Sequence, residues 1–89
     1  MSQIITNPES MMSFARTVTE CSERLKKEEL SLFRELSELG ATWKDEKYQH
    51  FDRLISESAS ELSAFHTAAQ RYSEFLVRKA SAAKRFMES

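Results

Sequence analysis

Leu39-Gly40-Ala41-Thr42-Trp43-Lys44-Asp45 is the stretch on which the fold turns. Gly40 is the chain's one glycine and directly follows an apolar position. That is where a helix end calls for the left-handed backbone that glycine adopts without strain. Thr42 and Asp45 then have the spacing of a capping box, with the Thr42 hydroxyl accepting from an early backbone N–H of a second helix. Asp45 and Glu46 would sit at the positive end of that helix's dipole. The stretch therefore predicts a stop, a reversal at residues 40–42 and a fresh start.

Upstream, Asn7-Pro8 opens the first helix: Asn caps well, and Pro suits the first helical position because its missing N–H has no partner there. Met11, Val18, Leu25, Leu32 and Leu39 recur every seven residues, with Phe14, Ala15, Cys21, Ser22 and Leu36 beside them and Glu28-Glu29 as an interruption. Downstream, two seven-residue series run in parallel. One is Tyr48, Ile55, Leu62, Ala69, Leu76 and Ala83; the other is Phe51, Ser58, Phe65, Tyr72, Lys79 and Phe86. Ten of these twelve positions are apolar or aromatic, as one continuous helix requires. The expected layout is helix one over about 8–39 and helix two over about 43–87, roughly 48 and 65 Å long. So short a connection makes them antiparallel neighbours. Counting back from the turn pairs Leu39 with Tyr48, Leu32 with Ile55, Leu25 with Leu62, Val18 with Ala69 and Met11 with Leu76. Leu36, Phe51, Phe65 and Tyr72 are expected to complete the seam.

The 89 residues have room for one domain and are nearly free of strand and turn punctuation, with one Gly and one Pro. A formal charge of −1 creates no overall field toward nucleic acid or an anionic membrane. Cys21 is the one cysteine, so no intrachain disulfide forms. Met1-Ser2-Gln3-Ile4-Ile5 lacks the basic and long apolar regions of a signal peptide, and no apolar run approaches the ~20 residues that span a bilayer. The expectation is an all-α, cytoplasmic protein in a single domain over residues 1–89, with export without a cleaved signal left open.

A two-helix hairpin has a seam but no enclosed core. Leu30 and Phe33 fall off the helix-one seam, and Phe75 and Val77 flank the helix-two seam. Each such side chain left in water forgoes roughly 1.5–3 kcal/mol. A second, similar hairpin would cover them in a four-helix bundle, as a two-fold homodimer by default or as a heterodimer.

Two antiparallel helices in a chain of this length, with Trp43 in the connecting turn and Tyr48 and Phe51 following, resemble the WXG-type (ESAT-like) proteins of type VII secretion. The likeness covers nearly the whole chain in architecture and rests on residues 39–45 in motif. It implies a dimer that acts as a secretion substrate, co-substrate or adaptor, with a larger secreted effector or a secretion ATPase as further partners. The family's Trp-x-Gly is Trp43-Lys44-Asp45 here. Its Tyr-x-x-x-acid export spacing after the second helix is absent, since Tyr72 is followed four residues later by Leu76. The type III needle subunits share length and helicity but carry a Pro-containing turn, which this chain lacks.

No catalytic, cofactor or metal site is expected. His50 and His66 have no His or Cys partner at helical ligand spacing, and Lys47 and Ser63 stand where a Glu-x-x-His pattern needs glutamate. His66 reads as a bundle-edge residue. Cys21, on the stripe, reads as a buried thiol. No nucleophile–base pattern or glycine-rich phosphate loop is present. Arg71, Arg78, Lys79, Lys84 and Arg85 offset the dipole at the helix-two C-terminus, with Glu9, Glu20 and Glu23 expected alongside; nucleic acid is not an expected ligand. Trp43 packs the turn and offers a recognition knob at the tip. The expected function is a non-enzymatic hairpin acting through helix-face contacts in a type VII-like secretion system. The alternative is a cytosolic helical adaptor or chaperone-like module with no part in export.

Overall fold

A computed structural model describes residues 7–88. Residues 1–6 and 89, and with them the N-terminal stretch read for a signal, lie outside the described residues. Helix α1 runs over Pro8–Gly40 and helix α2 over Glu46–Glu88, and among the described residues there is no strand. The two helices pack along each other in a plate 65 × 26 × 14 Å, one helix thick.

Asn7 caps α1, its Oδ1 accepting from the Ser10 N–H at 3.1 Å, and Pro8 takes the first helical turn. The far end differs from the sequence reading. Among the described residues none has positive φ, and Gly40 is the last residue of α1 itself. Its lack of a side chain serves another purpose: a Cβ there would come 2.6 Å from Tyr48 Cζ. The Tyr48 ring crosses the helix end at that point and donates its hydroxyl to the Leu36 carbonyl at 3.2 Å. Thr42 is not the cap of α2. Its hydroxyl donates back to the Leu39 carbonyl at 3.3 Å, helping to close α1. The cap is Asp45, whose Oδ1 accepts from the Tyr48 N–H at 3.0 Å, so α2 starts at Glu46 and leaves Trp43 in the turn.

Hydrogen bonds at three levels fix the antiparallel register. Ser73 Oγ donates to the Ala15 carbonyl at 3.2 Å, Ser22 Oγ and His66 Nδ1 lie 2.7 Å apart, and Tyr48 reaches Leu36. What fills the seam is the main departure from expectation. The buried residues are small, Ala15, Ser22, Ala69, Ser73 and Ala80, with Ala80 only 1% exposed. Met11, Val18, Leu25, Leu36, Tyr48, Ile55, Leu62 and Leu76 are half-buried. Leu32, Leu39, Phe51, Phe65 and Tyr72, expected in the seam, are exposed, Tyr72 to 66%. On α2 the Tyr48–Ala83 series does lie toward α1, but its companion is Ala59, His66, Ser73 and Ala80 in place of the aromatic series. Small side chains let two helices approach closely, and that closeness excludes bulky ones from the line of contact. Relative to the sequence reading, α2 is turned by one heptad position.

Candidate protein-interaction face

A plate one helix thick has two faces, and shallow grooves mark one of them. Thr19, Glu23 and Lys26 of α1 line a groove with Gln70 and Glu74 of α2. Further grooves join Met12 and Arg16 to Val77 and Arg78, Pro8 and Glu9 to Ser81 and Lys84, and Phe33 and Ser37 to Asp52 and Ser56. The largest, about 580 Å³, has Met12, Ala15 and Val77 in its lining with Arg16, Glu20, Glu74 and Arg78. This face is mixed: the lining of its largest groove is mostly apolar, with charged side chains around it, and the other grooves are more evenly divided.

The heptad positions on the other side of the seam carry the large apolar side chains. On α2 these are Phe51, Leu54, Phe65, Tyr72 and Phe75, and on α1 Phe14, Leu32 and Leu39. All are exposed, Phe14 to 59%. Phe86 continues the α2 series and is 82% exposed, and Lys79 lies over the Phe75 ring at 5.8 Å. Cys21 is exposed at the Phe14 heptad position, not buried. Glu28, Glu35, Ser58 and Glu61 divide the face into a tip cluster and a cluster nearer the termini. The four residues expected to meet a partner do not lie together. Phe75 is on the apolar face. Phe33 and Val77 line grooves on the other, and Leu30, seven residues beyond the groove residue Glu23, is exposed on that same side.

Between the faces, mid-seam, lies a polar layer. His66 Nε2 stands 2.6 Å from Glu29 Oε2, and its Nδ1 stands 2.7 Å from the Ser22 hydroxyl. A carboxylate only accepts, so Nε2 carries a proton toward Glu29, and Nδ1 pairs with the Ser22 hydroxyl. Two turns away the Thr19 hydroxyl donates to Ser73 Oγ at 3.1 Å, and the Ser73 hydroxyl donates in turn to the Ala15 carbonyl. Among the described residues, no buried side-chain nitrogen or oxygen lacks a partner. Ser22, His66 and Glu29 have the residue types of a nucleophilic triad, but Ser22 sits mid-helix, where the neighbouring backbone N–H groups are held by α1 itself. Sequence reading placed His66 at the bundle edge. The signal that could have moved it inward was the Ala59, His66, Ser73, Ala80 repeat of slim residues, outweighed there by the aromatic series.

At the tip, the Trp43 and Tyr48 rings meet edge-on, centroids 5.4 Å apart. The Asp45 carboxyl is held below its ordinary value, first by the Tyr48 N–H and then by the Trp43 side chain. His50 is exposed. Among the described residues no group of three or more His, Cys, Asp and Glu is placed to hold a metal ion. No lysine or arginine among them closes an ion pair, so Arg71, Arg78, Lys79, Lys84 and Arg85 do not meet Glu9, Glu20 or Glu23 directly. Among the described residues no helix is long and apolar enough to cross a membrane. Set against protein-family models, curated proteins and solved structures, the chain gives no match in any of the three comparisons.

Proposed function

We propose that the chain is a non-enzymatic hairpin that works by docking its apolar face onto another helical protein, a similar hairpin first of all, to close a four-helix bundle. The observation that carries the reading is the inverted burial: alanine and serine inside, Phe14, Phe51, Phe65, Tyr72 and Phe75 outside. A face 65 by 26 Å in outline exceeds the about 800 Å² per partner of a standard interface. Aromatic side chains on rigid helices are the usual anchors of such contacts. The place we assign this docking is the one the WXG-type likeness suggests: substrate, co-substrate or adaptor of a type VII-like secretion system, with a larger effector or the secretion ATPase as further partner. The Trp43 turn supports that assignment.

A second reading, a cytosolic adaptor unconnected with export, is favoured by Leu76, which stands four residues after Tyr72 where the export spacing calls for an acid. Molecular mass in solution, followed by a search for the intact chain in culture medium with and without the secretion ATPase, tests both. A dimer whose mass falls to that of one chain in Phe65→Ser/Tyr72→Ser supports docking through this face. Export that depends on the ATPase separates the first reading from the second. A monomer that captures no helical protein at micromolar concentration overturns the docking reading itself.

A further inference from the structure

Helix α2 carries two seven-residue series that could each share the seam with Tyr48, Ile55, Leu62, Ala69 and Leu76. One is slim and polar (Asp52, Ala59, His66, Ser73, Ala80) and the other mostly aromatic (Phe51, Ser58, Phe65, Tyr72, Lys79, Phe86). The shared series lies between them, so a turn of α2 by about 50° about its own axis exchanges one for the other. Burial of apolar area alone favours the aromatic series. The surface it would meet is slim, since α1 presents Ala15 and Ser22 beside the half-buried Val18 and Leu25, and the rings enter it as the two helices move apart. Tyr48 belongs to the shared series, so its hold on Leu36 at the tip is compatible with either setting.

What the aromatic setting lacks is the hydrogen bonding. Only with His66 facing α1 can its ring reach both Ser22 and Glu29, and only then does Ser73 reach Ala15 and Thr19. The Ser22–His66 and His66–Glu29 contacts, at 2.7 and 2.6 Å, span 44 and 37 positions of sequence. No local element dictates them, and they tie α2 to α1 at mid-length.

We propose that the Ser22–His66–Glu29 layer is a rotational latch. It holds α2 in the setting that presents Phe51, Phe65 and Tyr72 outward; once it is released, α2 turns and tucks those rings into its own seam, closing the docking face. The hairpin thus has an open form and a self-covered form, and the polar layer selects the open one. The purpose of the latch rests on the docking reading; the rotation itself does not.

His66→Glu tests it. In the open setting the new carboxylate faces Glu29, whereas in the turned setting position 66 lies at the solvent edge. The expected result is a chain that stays helical while nitration of Tyr72, measured at a dilution where the chain is monomeric, slows about tenfold. Self-association should fall with it. The same substitution in a Phe65→Gln/Tyr72→Gln background has no aromatic series to turn inward, so it should lower the unfolding midpoint further there than in the natural sequence. Ser73→Glu breaks the second set of bonds and should reproduce the slowed nitration. Tyr72 as reactive in both variants as in the natural chain overturns the latch, as do equal midpoint losses in the two backgrounds or outright unfolding of both variants in the natural sequence. Nitration and the midpoint cycle involve no partner, so a chain that binds nothing at all would sink the docking reading without deciding these outcomes.

Discussion

Around Tyr48 every contact that matters joins near neighbours: Asp45 caps three residues away, Gly40 clears space eight away and Leu36 accepts twelve away. Around His66 the partners lie 37 and 44 positions off. The two regions do the same work, pinning α2 against α1, by opposite means. The tip is written in local turn and cap chemistry that needs only the chain's own next few residues. The mid-seam depends on which of two faces of α2 wins a competition across the hairpin, and there a hydrogen-bonded polar layer prevails over larger apolar area. The lesson concerns where stability can be altered locally and where any change acts on the rotation of a whole helix.

The sharpest way to break the comparison is at the seam. Ala15, 2% exposed, lies directly against Ser73. Ala15→Leu should cost about 2–3 kcal/mol by overpacking the closest part of the contact, read as a fall in the urea midpoint with unchanged slope. At the tip the effect should be smaller and reversible by a neighbour. Gly40→Ala should destabilise by about 1 kcal/mol because the Tyr48 ring must move. In a Tyr48→Ala background the same change should turn neutral or stabilising by up to about 1 kcal/mol, since alanine is the better helix former. Trp43 fluorescence should report the displaced ring in the first case only.

The smallest effect expected is that of acid on the cap. The Asp45 carboxyl lies below its ordinary value in the folded chain, chiefly because it accepts the Tyr48 N–H. A depressed carboxyl contributes stability that is present above its unfolded value and is lost as the pH falls through the folded one. Amide exchange at Tyr48 should therefore quicken under acid relative to mid-α2 amides. Asp45→Asn, which still caps but does not ionise, should remove that part of the pH dependence. Equal acid response in both chains would detach the cap from the titration.

Much of this fold is legible in the residues. Asn7-Pro8, the Gly40–Asp45 reversal and the seven-residue spacing of Tyr48 through Ala83 are local or periodic signals, and the two helices stand where those signals put them, to within a few residues. The reasons were less legible than the places. Gly40 is needed for space, not for a left-handed turn, because the ring that needs the space comes from eight residues on. Asp45 caps in place of Thr42, since Thr42 is drawn into closing α1. The exposed apolar face is half legible. Its aromatic series was recognised but assigned to the inside, because hydrophobicity ranks Phe65 above His66 and only the bonds to Ser22 and Glu29 reverse the order. Phe33 and Val77 were grouped with Phe75 because periodicity along one helix cannot say which flank becomes which side of the plate.

A body 14 Å thick has no depth in which to hide a strong point. Each helical turn has one tertiary neighbour, the turn across from it, and loses all lateral support when that neighbour lets go. Separation of the strands of such an object travels lengthwise, like the opening of a zip, and the exchange of buried amides with solvent should grade from the ends toward the His66 level instead of switching at once.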